Sequence, residues 1–325
     1  MASLLKQVDF IVNRVEASAR QRERRDRPIP AGRRSMAFSV RAALEQFALP
    51  HPSGEGQLTI SVAVPTSPMP DTGVPILYVV DGDLLFGMAA EIARAMSSVA
   101  AFPAHYVVGI GYDAAYSDVL KLRTADLAPP IGAEALESLG GLAAAIGGAR
   151  SGGADAFLTF LTDRLRPEVT ARYPQTADGP HILFGHSLGG LFAARALLTR
   201  PDSFSAFIAS SPSLWWDGFS ILSQLPPFRE RLAALPRQPR VFVDVGAREQ
   251  ELPTSVPDGI EVTLEEAQAQ IRAARMVDAA CEFATALREA GVAELRHVAF
   301  AEDDHVSAAP AAILHGMRFA LGRER

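Results

Sequence analysis

The sequence predicts an α/β protein with a mostly parallel central sheet flanked by helices on both faces, and three observations carry that prediction. Short β-branched runs alternate with helical patterns from residue 58 to the end of the chain. Several of these runs are almost continuously apolar, as strands buried on both faces are. One of them, His181 to Phe184, leads into Gly185-His186-Ser187-Leu188-Gly189-Gly190 and then into a helical pattern.

The strands expected in order are Leu58 to Val64, Pro75 to Val80, Tyr106 to Ile110, His181 to Phe184, Ala206 to Ala209, Val241 to Val245 and Leu295 to Phe300. Helical patterns between them include Leu85 to Val99, Ala154 to Tyr173, Leu188 to Thr199 and Gln268 to Ala290, each long enough for a crossover connection. Ser138 to Gly153 is rich in Gly and Ala and reads as a loop. Ser211 to Pro239 is a Pro-punctuated insertion of the kind that forms lids or binding surfaces. The expected organisation is an N-terminal arm and linker over 1–57 and one catalytic domain over 58–325 carrying the insertion 211–239.

Composition excludes several classes. With 48% hydrophobic and 21% charged residues, the 325-residue chain buries a large core and is neither disordered nor fibrous. A single cysteine, Cys281, rules out an intramolecular disulfide framework. The most apolar long stretch, Leu84 to Ala104, is interrupted by Glu91 and Arg94, so no transmembrane segment is expected. The N-terminus carries Lys6 and Asp9 within its apolar part and lacks a signal-type cleavage site, so the expected compartment is the cytoplasm. From Arg14 to Arg34, eight arginines against Glu16, Glu23 and Asp26 give a local +5 in a protein of net −6. The run contains no aromatic residue, and we read it as a solvated helix face rather than a nucleic-acid surface.

The strongest chemical signal is the G-x-S-x-G match at Gly185, Ser187 and Gly189, in the strand-turn-helix setting it requires. The turn is so tight that side chains at the glycine positions would collide, and it leaves Ser187 strained with its hydroxyl presented. A serine hydroxyl is a weak nucleophile until a histidine takes its proton. In such a fold the chain order is nucleophile, acid, histidine, the last on the loop after the final strand, and His305 occupies that place. For the acid, Glu249 follows the strand ending at Val245; Glu251, Asp217 and the Glu302-Asp303-Asp304 run compete with it, and a Ser187–His305 dyad is also open. The oxyanion formed on ester attack needs preorganised backbone N–H donors. Leu188 supplies one and Asp83, on the loop after Tyr78-Val79-Val80-Asp81-Gly82, is the choice for the second.

With these residues in place, the chain resembles the siderophore-type esterases of the α/β-hydrolase superfamily, the group of enterobactin and salmochelin esterases. The resemblance runs from about Leu58 to Leu321. It rests on Leu77-Tyr-Val-Val-Asp-Gly-Asp83, Val107-Val-Gly-Ile-Gly-Tyr112, Arg123 with Asp126-Leu-Ala-Pro129, Gly152-Gly-Ala-Asp-Ala-Phe157, the Gly185 to Phe192 segment, Ser211-Pro-Ser-Leu-Trp-Trp-Asp217, and Glu302, His305, Ser307 and Pro310. It implies an α/β-hydrolase fold, Ser187 as nucleophile and His305 as base. It also implies that Arg123 contacts an anionic or catecholate part of the substrate and that Trp215 and Trp216 line the pocket mouth. The expected substrate is a small-molecule ester, including a ferric siderophore, and the chemistry requires no cofactor and no protein-bound metal.

Three rivals remain. Gly109-Ile-Gly111-Tyr-Asp-Ala114 matches G-x-G-x-x-A after a strand, but its helix is weak and no acidic residue ends a second strand about 20 residues on. An acyltransferase or thioesterase would share the same acyl-enzyme. A hydrolase-fold binding protein without catalysis is argued against by the intact elbow and by His305.

Overall fold

The structure is a computed structural model that describes residues 43–112, 114–139, 150–255 and 263–322. The basic run 14–34 and most of the expected Gly- and Ala-rich loop lie outside the described residues. Among the described residues eight strands form one sheet: β1 (Ala43–Pro50), β2 (Gln57–Val64), β3 (Ile76–Val79), β4 (Tyr106–Gly111), β5 (His181–His186), β6 (Ala206–Ser210), β7 (Arg240–Gly246) and β8 (Leu295–Phe300). Their order is β1-β2-β4-β3-β5-β6-β7-β8; β1–β2 and β2–β4 pair antiparallel and every other pair is parallel. The parallel part justifies the apolar runs, since β3, β4 and β6 are buried at every position.

Alternate residues of each strand feed opposite faces, the two-residue period of a strand. Leu77, Val79, Phe184, Ile208 and Phe242 pack under α1 (Gly82–Ser98) and the last helix, α10 (Ala308–Ala320). Ile76, Tyr78, Leu183, Phe207 and Val243 face the other layer. That layer holds α2 (Tyr116–Leu127), α4 (Ala154–Phe160), α6 (Leu188–Thr199) and α9 (Met276–Glu289).

Three elements differ from expectation. Among the described residues the sheet begins at Ala43, inside the segment read as a linker. β1 lacks a β-branched run because it is an edge strand, mostly exposed, and distant side chains fix it: Tyr173 Oη–H donates to Glu45 Oε2 at 2.7 Å and Arg172 stacks over Phe47. The pattern from Gln268 to Ala290 is two helices, α8 (Leu264–Ala274) and α9, broken at Arg275, whose φ of 45° is left-handed. The pattern from Ala154 to Tyr173 passes through one π turn, Leu161–Leu165, before α5 (Arg166–Arg172). Pro167 has no N–H to continue the regular ladder there.

The chain leaves β3 toward β4 on one side and β5 toward β6 on the other. Adjacent β3 and β5 therefore form a topological switch point, and the crevice of an open parallel sheet lies beyond the carboxyl ends of its strands there. Residues just after β3, β5, β6, β7 and β8 converge on this edge. Among the described residues no helix is long and apolar enough to cross a membrane.

The turn after β5 has no room for a side chain at its first glycine, where a Cβ would stand 2.0 Å from the carbonyl oxygen of Gly189. Gly185→Ala is expected to lower stability in denaturant unfolding by about 3 kcal/mol or more. Gly87→Ala, on an open face of α1 with nothing within 4 Å, is expected to raise it by up to about 1 kcal/mol.

Candidate active site

Ser187 joins β5 to α6 with φ 62° and ψ −118°, a conformation that costs a non-glycine residue about 1–3 kcal/mol. Three backbone hydrogen bonds hold it. Its N–H donates to Ser210 C=O at 3.0 Å, and its own C=O accepts from Leu191 N–H at 2.9 Å and Ser213 N–H at 3.1 Å. The hydroxyl is half-buried, with Oγ 3.5 Å from Ser213 Oγ. Leu188 opens α6, so its N–H has no partner within the helix and points with the positive end of the helix dipole.

Glu249, just beyond β7, is buried and its carboxylate is fully engaged. Oε1 accepts from Ser211 Oγ–H at 2.5 Å and Gly246 N–H at 2.7 Å, and Oε2 meets His305 Nδ1 at 2.7 Å. The histidine loop lies directly on the end of β7, since a Cβ on Gly246 would stand 2.5 Å from the carbonyl oxygen of Asp303. Asp304 shapes that loop, its Oδ1 accepting from Val306 and Ser307 N–H at 3.0 Å each. The competing acids point elsewhere: Glu251 pairs with Arg248 at the surface, and Asp217 Oδ1 accepts from Gly132 N–H at 2.8 Å. His305 Nε2 is sealed from solvent without a hydrogen-bond partner, so the contact from Ser187 Oγ–H to Nε2 is not made in this conformation. Such contacts are often long in sites without substrate and tighten when it binds.

One expectation drawn from the family likeness needs correction, that for Trp216. Arg123 is buried, and one edge of its guanidinium meets Asp81: Nε donates to Oδ1 at 2.6 Å and Nη2 to Oδ2 at 2.7 Å. The pair braces the switch point, because Asp81 stands between β3 and α1 in a left-handed conformation (φ 60°) and its Oδ2 lies close against Gly189 of the elbow. Trp216 does not line a pocket mouth. It is 1% exposed, and its Nε1–H donates to Pro129 C=O at 3.0 Å, so it anchors the insertion 211–239 to the core. Trp215 is half-buried and lines a cavity of about 730 Å³ with Leu139, Phe219 and Ala274, in which Glu134 and Asp217 are the only charged residues among the described ones.

Sequence reading passed over Ser211 and Ser213, which contact the acid and the nucleophile; both flank the quoted Ser211-Pro212-Ser213 motif. It also passed over Asp81, although an acid ending an apolar strand was a usable signal. Asp83 is exposed at the start of α1, its carboxylate accepting from Tyr112 N–H at 2.8 Å.

Fold and elbow together define an α/β-hydrolase. Within that class the chain belongs to the family described as "Putative esterase", whose model matches residues 52–291. It is 38% identical over 217 residues to the siderophore triacetylfusarinine C esterase of Aspergillus fumigatus, covering 64% of this chain and 69% of the relative. It is 30% identical over 268 residues to the ferri-bacillibactin esterase BesA of Bacillus subtilis, covering 81% and 84%. The siderophore hydrolase EstA from Aspergillus nidulans superposes with a TM-score of 0.72 at 28% identity, covering 87% of this chain and 95% of that one.

Breaking a buried ion pair leaves one charge uncompensated, so Arg123→Met alone is expected to cost about 3–5 kcal/mol in denaturant unfolding. Much of that loss should return in the Arg123→Met/Asp81→Asn double variant; a double variant as unstable as the single one plus a further loss would contradict the pairing.

Proposed function

We propose that the protein is a serine ester hydrolase that cleaves siderophore-type esters through an acyl-enzyme. The observation that carries this reading is the Glu249–His305 pair at the crevice beside the elbow of Ser187. The carboxyl group meets a hydroxyl, a backbone N–H and Nδ1, and Nδ1 bound to it leaves Nε2 as the proton acceptor.

In this mechanism His305 Nε2 takes the Ser187 Oγ–H proton as Oγ attacks the ester carbonyl carbon. Glu249 stabilises the imidazolium that forms. The tetrahedral oxyanion is received by the N–H groups of Leu188 and Asp83. Geometry supports the second donor: Leu84 and Leu85 N–H both donate to Asp81 C=O, leaving the N–H groups at the very start of α1 without intrahelical partners. Imidazolium then protonates the leaving alkoxide, giving alcohol and acyl-enzyme. Water, deprotonated by His305, attacks the acyl carbon and releases acid and free Ser187.

The relatives' names supply the substrate class. The cavity beside Trp215, whose lining among the described residues includes Leu139, Phe219 and Ala274, suits an apolar part of the ester. A cytoplasmic place of action belongs to the same reading and is supported by Cys281, the chain's only cysteine, which is free and exposed.

Ser187→Ala and His305→Ala are each expected to lower kcat on a p-nitrophenyl ester and on a siderophore triester by about 10³-fold or more. Activity within tenfold of wild type in either variant would remove the mechanism. Glu249→Gln offers an amide to Nδ1 and disturbs the tautomer, with an expected loss of about 10²-fold or more in kcat, whereas Glu251→Gln should match wild type. Trp215→Ala is expected to raise KM for the siderophore ester while kcat changes little.

A further inference from the structure

Among the described residues, three non-glycine residues with a left-handed φ follow three neighbouring strands at the crevice: Asp81 (60°) after β3, Ser187 (62°) after β5 and Ser211 (39°) after β6. Asp81 is held by the Arg123 pair, and Ser187 is the elbow itself. No step of the reaction uses Ser211. Its conformation is doubly unfavourable, because a positive φ is costly without glycine and because the residue before a proline, here Pro212, is driven toward extended backbone. The residue is fully buried, so no surface role accounts for it.

The turn that carries Ser211 is bound to the nucleophile on both sides. Ser210 C=O accepts the Ser187 N–H at 3.0 Å, and Ser213 N–H donates to Ser187 C=O at 3.1 Å. Ser211 N–H donates to Asp244 C=O of β7 at 2.9 Å. The elbow helix rests against the same turn, since a Cβ on Gly190 would stand 2.5 Å from the Ser210 carbonyl oxygen and 2.9 Å from Pro212 Cα. With the backbone so placed, the Ser211 side chain reaches the acid, and its Oγ–H donates to Glu249 Oε1 at 2.5 Å.

We propose that Ser211 is a positioning residue of the triad: its strained backbone fixes its hydroxyl on Glu249 Oε1, which leaves Oε2 to His305 and ties the acid to the turn that holds the nucleophile. The role in catalysis rests on the serine-esterase reading, since only there is His305 the base.

A carboxyl group turns readily about its last side-chain bond, so one contact does not set its plane. The Gly246 N–H that meets Oε1 at 2.7 Å belongs to the same turn as Glu249, whose own N–H donates back to Gly246 C=O at 3.1 Å. That contact fixes the carboxyl relative to β7 alone. Ser211 comes from the end of β6 and supplies the second direction, toward the nucleophile. Held from both, the group presents Oε2 to His305 Nδ1 at 2.7 Å. Glycine would take this backbone without strain, yet it has no hydroxyl to give. A serine where glycine fits better points to the hydroxyl as the reason for the strain.

The test separates the hydroxyl from the backbone. Ser211→Ala and Ser211→Gly both remove the donor, and glycine also relieves the strain. Each is expected to lower kcat on a p-nitrophenyl ester by about tenfold with KM within about twofold, although Ser211→Gly should unfold at a higher denaturant concentration than Ser211→Ala. A merely structural serine would give another pattern, with kcat recovering as stability does. Recovery in Ser211→Gly to within about twofold of wild type would overturn the proposal.

A double-mutant cycle adds a second readout. In a Glu249→Ala background the group through which Ser211 acts is gone, so Ser211→Gly should change kcat by less than about twofold; the same tenfold loss there would overturn the proposal. A third measurement needs no turnover. In ¹H spectra of protein labelled with ¹⁵N-histidine, the His305 Nδ1–H proton shared with Glu249 should exchange with water about tenfold faster in Ser211→Gly than in wild type, and unchanged exchange would overturn the proposal. Activity retained in Ser187→Ala would remove the esterase reading alone, and the exchange rate would still decide whether Ser211 holds Glu249.

Discussion

The site depends on one constraint: Ser187 is held in a backbone conformation it would not choose, at the point where the sheet's strand order reverses. Holding it requires Ser210 C=O on the neighbouring strand, a side chain-free Gly185, and the Asp81 carboxylate close against the first turn of the following helix. Each of these is possible only because β3, β5 and β6 are adjacent and parallel, so that their carboxyl ends reach one edge together. The strain is small against the several hydrogen bonds that oppose its release.

Around that constraint, buried acids hold neighbouring elements together. The Arg123 fork meets Asp81 in parallel, and a hydroxyl, a backbone N–H and an imidazole converge on Glu249. Asp244, as buried as either, lies 2.9 Å from Ser210 Oγ, and burial pushes its carboxyl well above the ordinary carboxylate range. The buried Arg123–Asp81 pair ties α2 to the turn after β3, beside the elbow.

What the sequence revealed follows from locality. The elbow was legible because strand, glycines and helix lie within about twenty residues and each element carries its own signal. His305 was legible from chain order, since the loop after the last strand can reach only one edge of a parallel sheet. Glu249 could be proposed beside Glu251, yet separating them took three dimensions: the two are two positions apart, and only the turn after β7 decides which one faces inward. β1 was hidden because an exposed edge strand owes its place to contacts with Arg172 and Tyr173, far along the chain. Trp216 and Trp215 are neighbours with the same side chain, and only the path of the insertion sends one into the core and the other to the cavity. The break at Arg275 left no glycine or proline to mark it.

Everything in the proposed reaction passes through Ser187 as the residue that becomes acylated. Intact-protein and peptide mass spectrometry after treatment with a serine-directed phosphonate reports on that residue alone. A single adduct is expected, located on the peptide containing Ser187 and absent from Ser187→Ala. An adduct on another residue, or unchanged labelling of Ser187→Ala, would contradict it.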